Sequence, residues 1–412
     1  MPDSSEPADG SPGPVYALKG SPTALKISLA LFMAGFSTFS LLYCVQPLLP
    51  LFAQDFHISP PESALALSLC IGLPAVAVIA ATPVAEGLER RSLMFISMTA
   101  AAALSIAQAF VHHWPALLML RAIEGLALGG VPAVAMAYLA EEIDPRALGF
   151  SFGLYAAGNA IGGMAGRLGI SLITDLFDWR VALASMGVID LALALGFFLL
   201  LPRSRNFTPR RGAGAAYHWK AWTGHLARPA LQRLFLIGFL SMGAFVSIYN
   251  YAGFRLMQPP YSLSQAQIGL MFSVYLFGVV SSSIAGGAAD RFGHRPVLAI
   301  GLGSMALGIG LTLLAPLMAI ILGVSVLTAG FFSIQPVLNS WVGGIAPSNK
   351  GHATSLYLLA YYTGASVIGS LSGHAYDAWG WTGLSLTVFT LIATALALGW
   401  SLRPGLTGKA AQ

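Results

Sequence analysis

The feature that most constrains this chain is a succession of long apolar segments separated by short charged or Pro/Gly-containing stretches. An α-helix rises about 1.5 Å per residue, so about 20 apolar residues cross the roughly 30 Å hydrocarbon core of a bilayer. Strands of a membrane β-barrel would instead alternate apolar and polar residues over about ten positions. The sequence therefore predicts an all-α membrane protein with twelve transmembrane helices, over residues 27–50, 63–85, 93–111, 115–140, 148–173, 180–201, 233–254, 265–288, 296–314, 317–342, 351–374 and 382–402.

The composition agrees with a membrane protein and excludes several other classes. Hydrophobic residues make up 56% of the 412 positions and charged residues only 9%, whereas soluble domains carry about 25% charged residues. The sequence contains no phosphate-binding loop, paired-cysteine motif, nucleophile elbow or metal-spaced histidine cluster. We therefore expect neither an enzyme nor an ATP-driven pump, and no metal or cofactor.

The distribution of Lys and Arg predicts the orientation in the membrane. All but four of the 21 Lys and Arg residues lie in segments that would share one side of the membrane with both termini. Because basic residues collect on the cytoplasmic side, we expect both termini to be cytoplasmic. Anionic lipid then accounts for the net charge of +5, and no nucleic-acid partner is needed. The four exceptions are Arg121, Arg167, Arg180 and Arg255.

The second half of the chain repeats the first. A shift of 202 positions superposes "GFSFGLYAAGNAIGG" (149–163) on "GHATSLYLLAYYTGA" (351–365) without a gap. Six helices per half give both copies the same topology, which predicts two six-helix bundles related by a pseudo-two-fold axis along the membrane normal. The predicted organisation is a disordered cytoplasmic tail (1–24), a first bundle (25–202), a cytoplasmic linker with one short surface helix (203–232), a second bundle (233–403) and a cytoplasmic tail (404–412).

Two charged turns occupy equivalent places in the two halves. They are "TPVAEGLERRS" (82–92) and "GGAADRFGHRP" (286–296), at a shift of 204. The second resembles the signature G-x-x-x-D-[RK]-x-G-[RK]-[RK] of the major facilitator superfamily, and the first retains its basic pair. The resemblance covers most of the chain and implies the twelve-helix fold of that superfamily, with secondary transport as its activity.

These turns have a physical reading of their own. A carboxylate at the end of one helix accepts hydrogen bonds from the free N–H groups that open another helix. We expect Glu86 to meet the helix start near residue 351, and Asp290 the one near residue 148, as a cytoplasmic latch between the halves. The alternative is a pair of charged turns that only fix orientation. The residues of this predicted latch are Glu86, Arg90, Arg91, Asp290, Arg291, Gly293 and Arg295.

Three further stretches refine the resemblance. "LLYCVQPLLP" (41–50), "YLAEEIDP" (138–145) and "GNAIGGMAGRL" (158–168) resemble YnfM-type bacterial inner-membrane transporters. This implies a location in the bacterial inner membrane. "GNAIGG" also resembles the antiporter signature G-P-x-x-G-G, with Asn159 in place of the proline, so Asn159 is a candidate amide facing the cavity.

Charged residues within the spans are expensive to insert and are functional candidates by default. Arg121 and Glu124 lie one helical turn apart and could neutralise each other as a structural pair. "RAIEG" (121–125) resembles the superfamily's R-x-x-x-G signature, which implies a role for Arg121 in proton transfer. Arg167 could bind substrate or extend toward the outer surface. Asp190 is expected to be protonated or locally paired.

Polar and aromatic residues on helices that face the centre in this superfamily complete the set of candidates. Each of them could equally serve ordinary packing between helices. Few charges among aromatic and amide groups suit an amphiphilic or neutral organic solute. These candidates are Tyr43, Gln46, Tyr155, Asn250, Gln335, Asn339, Tyr357 and Tyr361.

The sequence thus predicts a secondary active transporter that moves a small organic solute across the inner membrane by alternating access, with proton-coupled efflux as the preferred direction. Uptake or export of a sugar or other metabolite, and a non-transporting membrane sensor with the same fold, are the alternatives. We expect a monomer whose partners are the small-molecule substrate, protons and the lipid bilayer.

Overall fold

The structure is a computed structural model that describes residues 16–18, 20–85, 89–206, 215–346 and 349–402. Apart from one isolated β-bridge, the regular structure of these residues is helical. Fifteen α-helices follow one another: α1 (Pro22–Tyr43), α2 (Leu49–Asp55), α3 (Pro60–Ala85), α4 (Arg90–Gln108), α5 (Trp114–Leu128), α6 (Gly130–Glu142), α7 (Leu148–Leu176), α8 (Trp179–Leu200), α9 (Ala215–Leu226), α10 (Pro229–Met257), α11 (Gln265–Leu270), α12 (Tyr275–Phe292), α13 (His294–Thr312), α14 (Leu317–Ile345) and α15 (Lys350–Ser401).

The predicted spans coincide with these helices. By length and hydropathy, eight helical segments of the described chain could cross a membrane. The last of these, α15, has 52 residues and bends at Gly380, whose φ of 62° and ψ of −154° are not helical. Its two arms match the two predicted spans 351–374 and 382–402.

Span 115–140 breaks at Gly129, between α5 and α6, and two other spans that were predicted as continuous helices are interrupted by 3-10 turns. In span 27–50, α1 ends at Tyr43, and a 3-10 turn (Gln46–Leu48) precedes α2. Pro47 has no N–H for a continuing helix, and its ring would clash with the carbonyl one turn earlier. In span 265–288, a 3-10 turn (Met271–Val274) separates α11 from α12. Periodicity alone could not locate either break.

Helix packing repeats in the two halves. In the first half α1 packs along α7, and in the second half α10 packs along the first arm of α15. A Cβ at Gly162 would overlap the backbone of Phe36, and a Cβ at Gly364 would overlap the backbone of Phe239. Gly162 and Gly364 are 202 positions apart, so the two contacts are copies of one close helix approach.

The two halves meet through α3 against the first arm of α15 and through α7 against α11. Helices α4, α13 and α15 begin at one end of the bundle, which we call the basic end, with Arg90, Arg295 and Lys350 in their first turns. We call the other end, where α2, α7 and α10 finish, the far end.

The described residues before and between the bundles include regular structure. Ser21 caps α1, which begins at Pro22, inside the predicted tail. Ala17 pairs with the chain at Ile143. The predicted surface helix of the linker is α9, on which Trp219 is 68% exposed. Helix α10 starts at Pro229, before the predicted boundary at 233.

Candidate functional site

A cavity of about 290 Å³ lies between the two halves. Helices α1 and α7 of the first half and α10, α12, α14 and α15 of the second supply its walls. Arg167 is the one formally charged residue among those that line it. The lining residues are Phe39, Tyr43, Ala156, Asn159, Ala160, Gly163, Arg167, Met242, Phe245, Tyr275, Phe331, Phe332, Gln335, Leu358, Tyr361 and Tyr362.

Arg167 lies on α7 and is only 4% exposed. Its Nε donates to Gln46 Oε1 (2.7 Å), and its Nη1 donates to the Gly163 carbonyl oxygen (2.7 Å). Three aromatic rings surround the guanidinium, with ring centroids 4.1 to 5.1 Å from Cζ, and two of them come from the opposite half. These rings belong to Tyr43, Tyr275 and Phe272.

The 3-10 turns after α1 and before α12 bring Gln46 and two of the three rings to Arg167. Gln46 lies in the 3-10 turn after α1, Phe272 lies in the 3-10 turn before α12, and Tyr275 is the first residue of α12. Irregular backbone at membrane depth is tolerated where it is buried in protein or lines a cavity, and it is common at transporter binding sites. The breaks are therefore part of how the site is built.

Hydrogen bonds join the halves on the far side of the cavity. Gln46 Nε2 donates to Asn250 Oδ1 (2.7 Å), and Asn250 Nδ2 donates to the Gly369 carbonyl oxygen (3.2 Å). Gln46 and Asn250 are 204 positions apart, close to the shift between the two halves, so this bond joins similar regions of the two repeats. Gln265 Nε2 donates to the Pro47 carbonyl oxygen (2.8 Å). We call Gln46, Asn250 and Gln265 the amide seal.

The basic end differs from the far end. Within the described ranges, the hydrogen bonds between the two bundles are those of the amide seal and one more near the far end. In that one, the Ala266 N–H donates to Asp175 Oδ1 (3.2 Å). A Cβ built on Gly149 or Gly286, near the basic end, would have no heavy atom within 4 Å. Among the described residues, direct hydrogen bonds therefore close the cavity toward the far end, and none is found between the bundles at the basic end.

Only one of the two predicted latch contacts falls on described residues. Asp290 is exposed, and it accepts no hydrogen bond from the start of α7, which is described in full. Glu86, its predicted counterpart, lies outside the described residues. The described residues show no hydrogen bond between Asp290 and the start of α7 in this conformation, and the latch stays a prediction.

The other predicted latch residues make contacts within their own halves. Arg90 pairs with Glu141 (2.6 Å). Arg91 donates to the Phe198 carbonyl oxygen (2.6 Å), and its guanidinium lies over the Phe198 ring. Arg295 donates to the Trp400 carbonyl oxygen (2.6 Å), and its guanidinium lies over the Trp400 ring. Each of these contacts joins the start of one helix to a neighbouring helix of the same bundle. Arg291 is exposed and lies 5.2 Å from the Phe292 ring centroid, and Gly293 ends α12 with a φ of 88°.

Arg121 and Glu124 form an ion pair (2.7 Å) in the interior of the first half, where both are fully buried. Arg121 Nη1 and Nη2 donate to the carbonyl oxygens of Leu41 (3.3 Å) and Leu42 (3.1 Å). Those carbonyls belong to the last turn of α1, where a helix leaves acceptors without N–H donors. Gln108 Nε2 donates to Glu124 Oε2 (2.6 Å). The pair therefore supports the end of α1 and does not line the cavity.

The structure sorts the sequence candidates into three groups. The first group lines the cavity, the second group belongs to the amide seal, and the third group is outside the lining of the cavity. Tyr357 donates to Gln335 Oε1 (3.3 Å) from a buried position, and Asn339 is exposed. The first group is Tyr43, Asn159, Arg167, Gln335 and Tyr361. The second group is Gln46 and Asn250. The third group is Tyr155, Asn339 and Tyr357, and Arg121 and Glu124 lie farther inside the first half.

Sequence reasoning missed most of the aromatic wall. The rings of Phe245 and Phe331 stack with centroids 3.9 Å apart and an interplanar angle of 11°, and Phe332 packs edge-on against them. Phenylalanine in a transmembrane span is as compatible with lipid as with a cavity, so composition could not identify these residues. Mapping the helical face that carries Gln335 would have found Phe331 and Phe332.

Comparisons with known proteins agree with this architecture. The sequence model of the Major Facilitator Superfamily matches residues 27–258 and 234–411. The chain is 41% identical to the uncharacterized MFS-type transporter YybF of Bacillus subtilis, over 93% of this chain and 95% of that protein. It is 40% identical to the inner membrane transport protein YnfM of Escherichia coli, over 94% and 93% of the two chains.

Solved structures share the fold at low sequence identity. The nucleoside transporter NupG superposes with a TM-score of 0.72 and 16% identity, covering 91% of this chain and 98% of that one. A bacterial homologue of the human lysosomal transporter Spinster, in an inward-facing and occupied conformation, superposes with a TM-score of 0.71 and 13% identity, covering 92% and 97%. At such identities the likeness shows the fold alone.

Proposed function

We propose that this chain, which belongs to the major facilitator superfamily and is a multi-pass membrane transporter, is a secondary active transporter. It would move a small organic solute by alternating access and export it in exchange for protons. The solute would bind in the cavity between the halves and leave as the bundles rock about it.

The observation that carries this proposal is the asymmetry between the two ends of the cavity. The amide seal joins the bundles at the far end, and no described hydrogen bond joins them at the basic end. If the basic end faces the cytoplasm, as the rule for Lys and Arg favours, this conformation is inward-facing. The alternate state would break the amide seal and close the basic end, where Glu86 and Asp290 are the proposed latch carboxylates.

Residue roles follow from position. We assign solute contact to Arg167 and to Tyr43, Asn159, Gln335 and Tyr361, which line the cavity with it. Tyr357 would orient Gln335 through its hydroxyl. Gln46 and Asn250 would hold the far end closed.

Proton coupling would pass through Glu124. Glu124 holds Arg121, Arg121 holds the end of α1, and the turn that follows carries Gln46 of the amide seal. A proton on Glu124 would weaken its attraction for Arg121 and free the end of α1 to move. Because a ligand shifts a conformational equilibrium only through different affinities for the two states, the proton must bind Glu124 more tightly in one of them.

Flux measurements in proteoliposomes test this proposal. We expect an imposed pH gradient to drive uptake of a solute identified by an export screen of deletion and overexpression strains. Glu124→Gln should still exchange solute across the membrane, with the pH dependence lost.

Glu142→Gln is the matched control. Glu142 is a buried carboxylate on α6, the helix that follows α5. It accepts a hydrogen bond from Ser204 (2.7 Å) at the basic end and is remote from the end of α1. It should keep the pH dependence. An unchanged pH profile in Glu124→Gln would refute the coupling role, and solute binding without any flux would favour a sensor.

A further inference from the structure

The buried cation of the cavity wall is not neutralised by any described part of the protein. Arg167 makes no ion pair with a described carboxylate, and its two hydrogen-bond acceptors, Gln46 Oε1 and the Gly163 carbonyl oxygen, are neutral. Its Nη2 donates to no described residue. Buried charges are normally paired, because removing an ion from water costs several kcal/mol that only a counter-charge or several strong hydrogen bonds offset.

The aromatic surroundings reduce this cost but leave the charge. Tyr43, Tyr275 and Phe272 stabilise the guanidinium through their ring faces, and such contacts are stronger when they are desolvated. Rings, amides and carbonyls carry no net charge, so the field of one positive charge extends into the cavity. That field is strong there because apolar walls screen it poorly.

A second unused donor lies on the same cavity. Gln335 lines it from α14, and its Nε2 is buried without a hydrogen-bond acceptor among the described residues. The rest of the wall carries the Asn159 amide, tyrosine hydroxyls, and aromatic and aliphatic surface that includes Phe245, Phe331 and Phe332. The site therefore offers one cation, neutral polar groups and ring faces, and none of its lining residues carries a carboxylate.

From this arrangement we propose that the solute is a monoanionic amphiphile, such as an aromatic carboxylate, whose acidic group binds Arg167 and Gln335 and whose ring packs against the phenylalanines. The inference rests on the proposed transport function and gives it a substrate class. The same field disfavours organic cations of equal size, so the cavity selects by charge as well as by shape.

Three probes with one naphthalene ring test the charge rule: naphthoate, naphthamide and naphthylmethylammonium. Equilibrium binding to the purified full-length protein at pH 7 should favour the carboxylate over the amide by about tenfold or more, as expected for a charge-assisted hydrogen bond. The ammonium should not bind measurably. Equal binding of carboxylate and amide, or no binding of the carboxylate, would overturn the assignment.

Variants separate charge recognition from folding. Arg167→Gln should abolish the preference for the carboxylate, so that naphthoate binds no more tightly than naphthamide. Arg167→Lys, which keeps the charge, should recover part of the preference, and Gln335→Leu should weaken naphthoate several-fold. Arg180→Gln, which removes an arginine paired with Asp55 (2.9 Å) at the far end, is the control and should bind like the wild type.

Counterflow in proteoliposomes distinguishes the two levels of the proposal. Flux of the amide with no preference for the carboxylate would refute the anion site while transport stands. Selective binding of naphthoate without flux would refute transport while the anion site stands.

Discussion

The two halves share one helical plan but divide the chemistry between them. All of the buried Asp, Glu and Arg side chains of the described chain lie in the first half: Arg121, Glu124, Glu142, Arg167 and Asp190. The buried polar side chains of the second bundle are neutral, and it supplies most of the aromatic wall. Duplicated packing constrains both halves equally, whereas a site at their interface needs only one copy of each charged group.

This division has an energetic reason. Each ion within a span needs partners, and Arg121 alone uses Glu124 and backbone carbonyls of α1 and α3. A second such network in the other half would double the insertion cost without adding a charge to the cavity. Aromatic residues give the opposite wall contact area at no such cost.

The largest effect is expected from removing the ionic centre of the first half. Arg121→Leu would leave the Glu124 charge buried without its partner and the carbonyls of Leu41 and Leu42 without their donor, so we expect a loss of about 3–5 kcal/mol of stability. Denaturant-induced unfolding in detergent measures it. Ser325→Ala, at the position 204 residues later, should change stability by less than about 0.5 kcal/mol. Comparable losses at both positions would contradict the division of roles.

A moderate and equal effect is expected at the repeated helix contact. Gly162→Ala and Gly364→Ala each place a Cβ against the backbone of the adjoining helix, and we expect each to destabilise its own bundle by about 1–3 kcal/mol. The same unfolding assay applies. Gly153→Ala, on α7 with no heavy atom near the added Cβ, should be neutral or slightly stabilising. Strongly unequal losses at the two sites would show that the halves have diverged in packing as well as in chemistry.

The smallest effect is expected for the contact that joins the halves. A double-mutant cycle of Gln46→Leu and Asn250→Leu should give a coupling energy of about 1 kcal/mol, the net value of one buried hydrogen bond. Gln46→Leu combined with Asn339→Leu, which share no contact in the structure, should be additive. If the Gln46 and Asn250 changes were also additive, the amide seal would contribute nothing to closing the far end.

The candidate site was only partly visible in the sequence. Arg167 and Glu124 stood out because charges in apolar spans are rare, and Gln46 and Asn250 because amides there are uncommon. Their grouping was not visible: Arg167 and Glu124 are both buried, yet one lines the cavity and the other supports α1. A helix turns about 100° per residue, so a small rotation decides whether a side chain faces the cavity or a neighbouring helix.

By itself, the sequence determined the twelve helical spans, the duplication and the superfamily, because bilayer thickness, apolar length and repeated motifs are properties of local segments. Only the tertiary structure decided where the spans of α1 and α12 are interrupted, which rings surround Arg167, and that Gln46 bonds Asn250 of the other half. These features depend on how two bundles rest against each other. Such contacts join residues that are distant in the sequence, so no local segment encodes them.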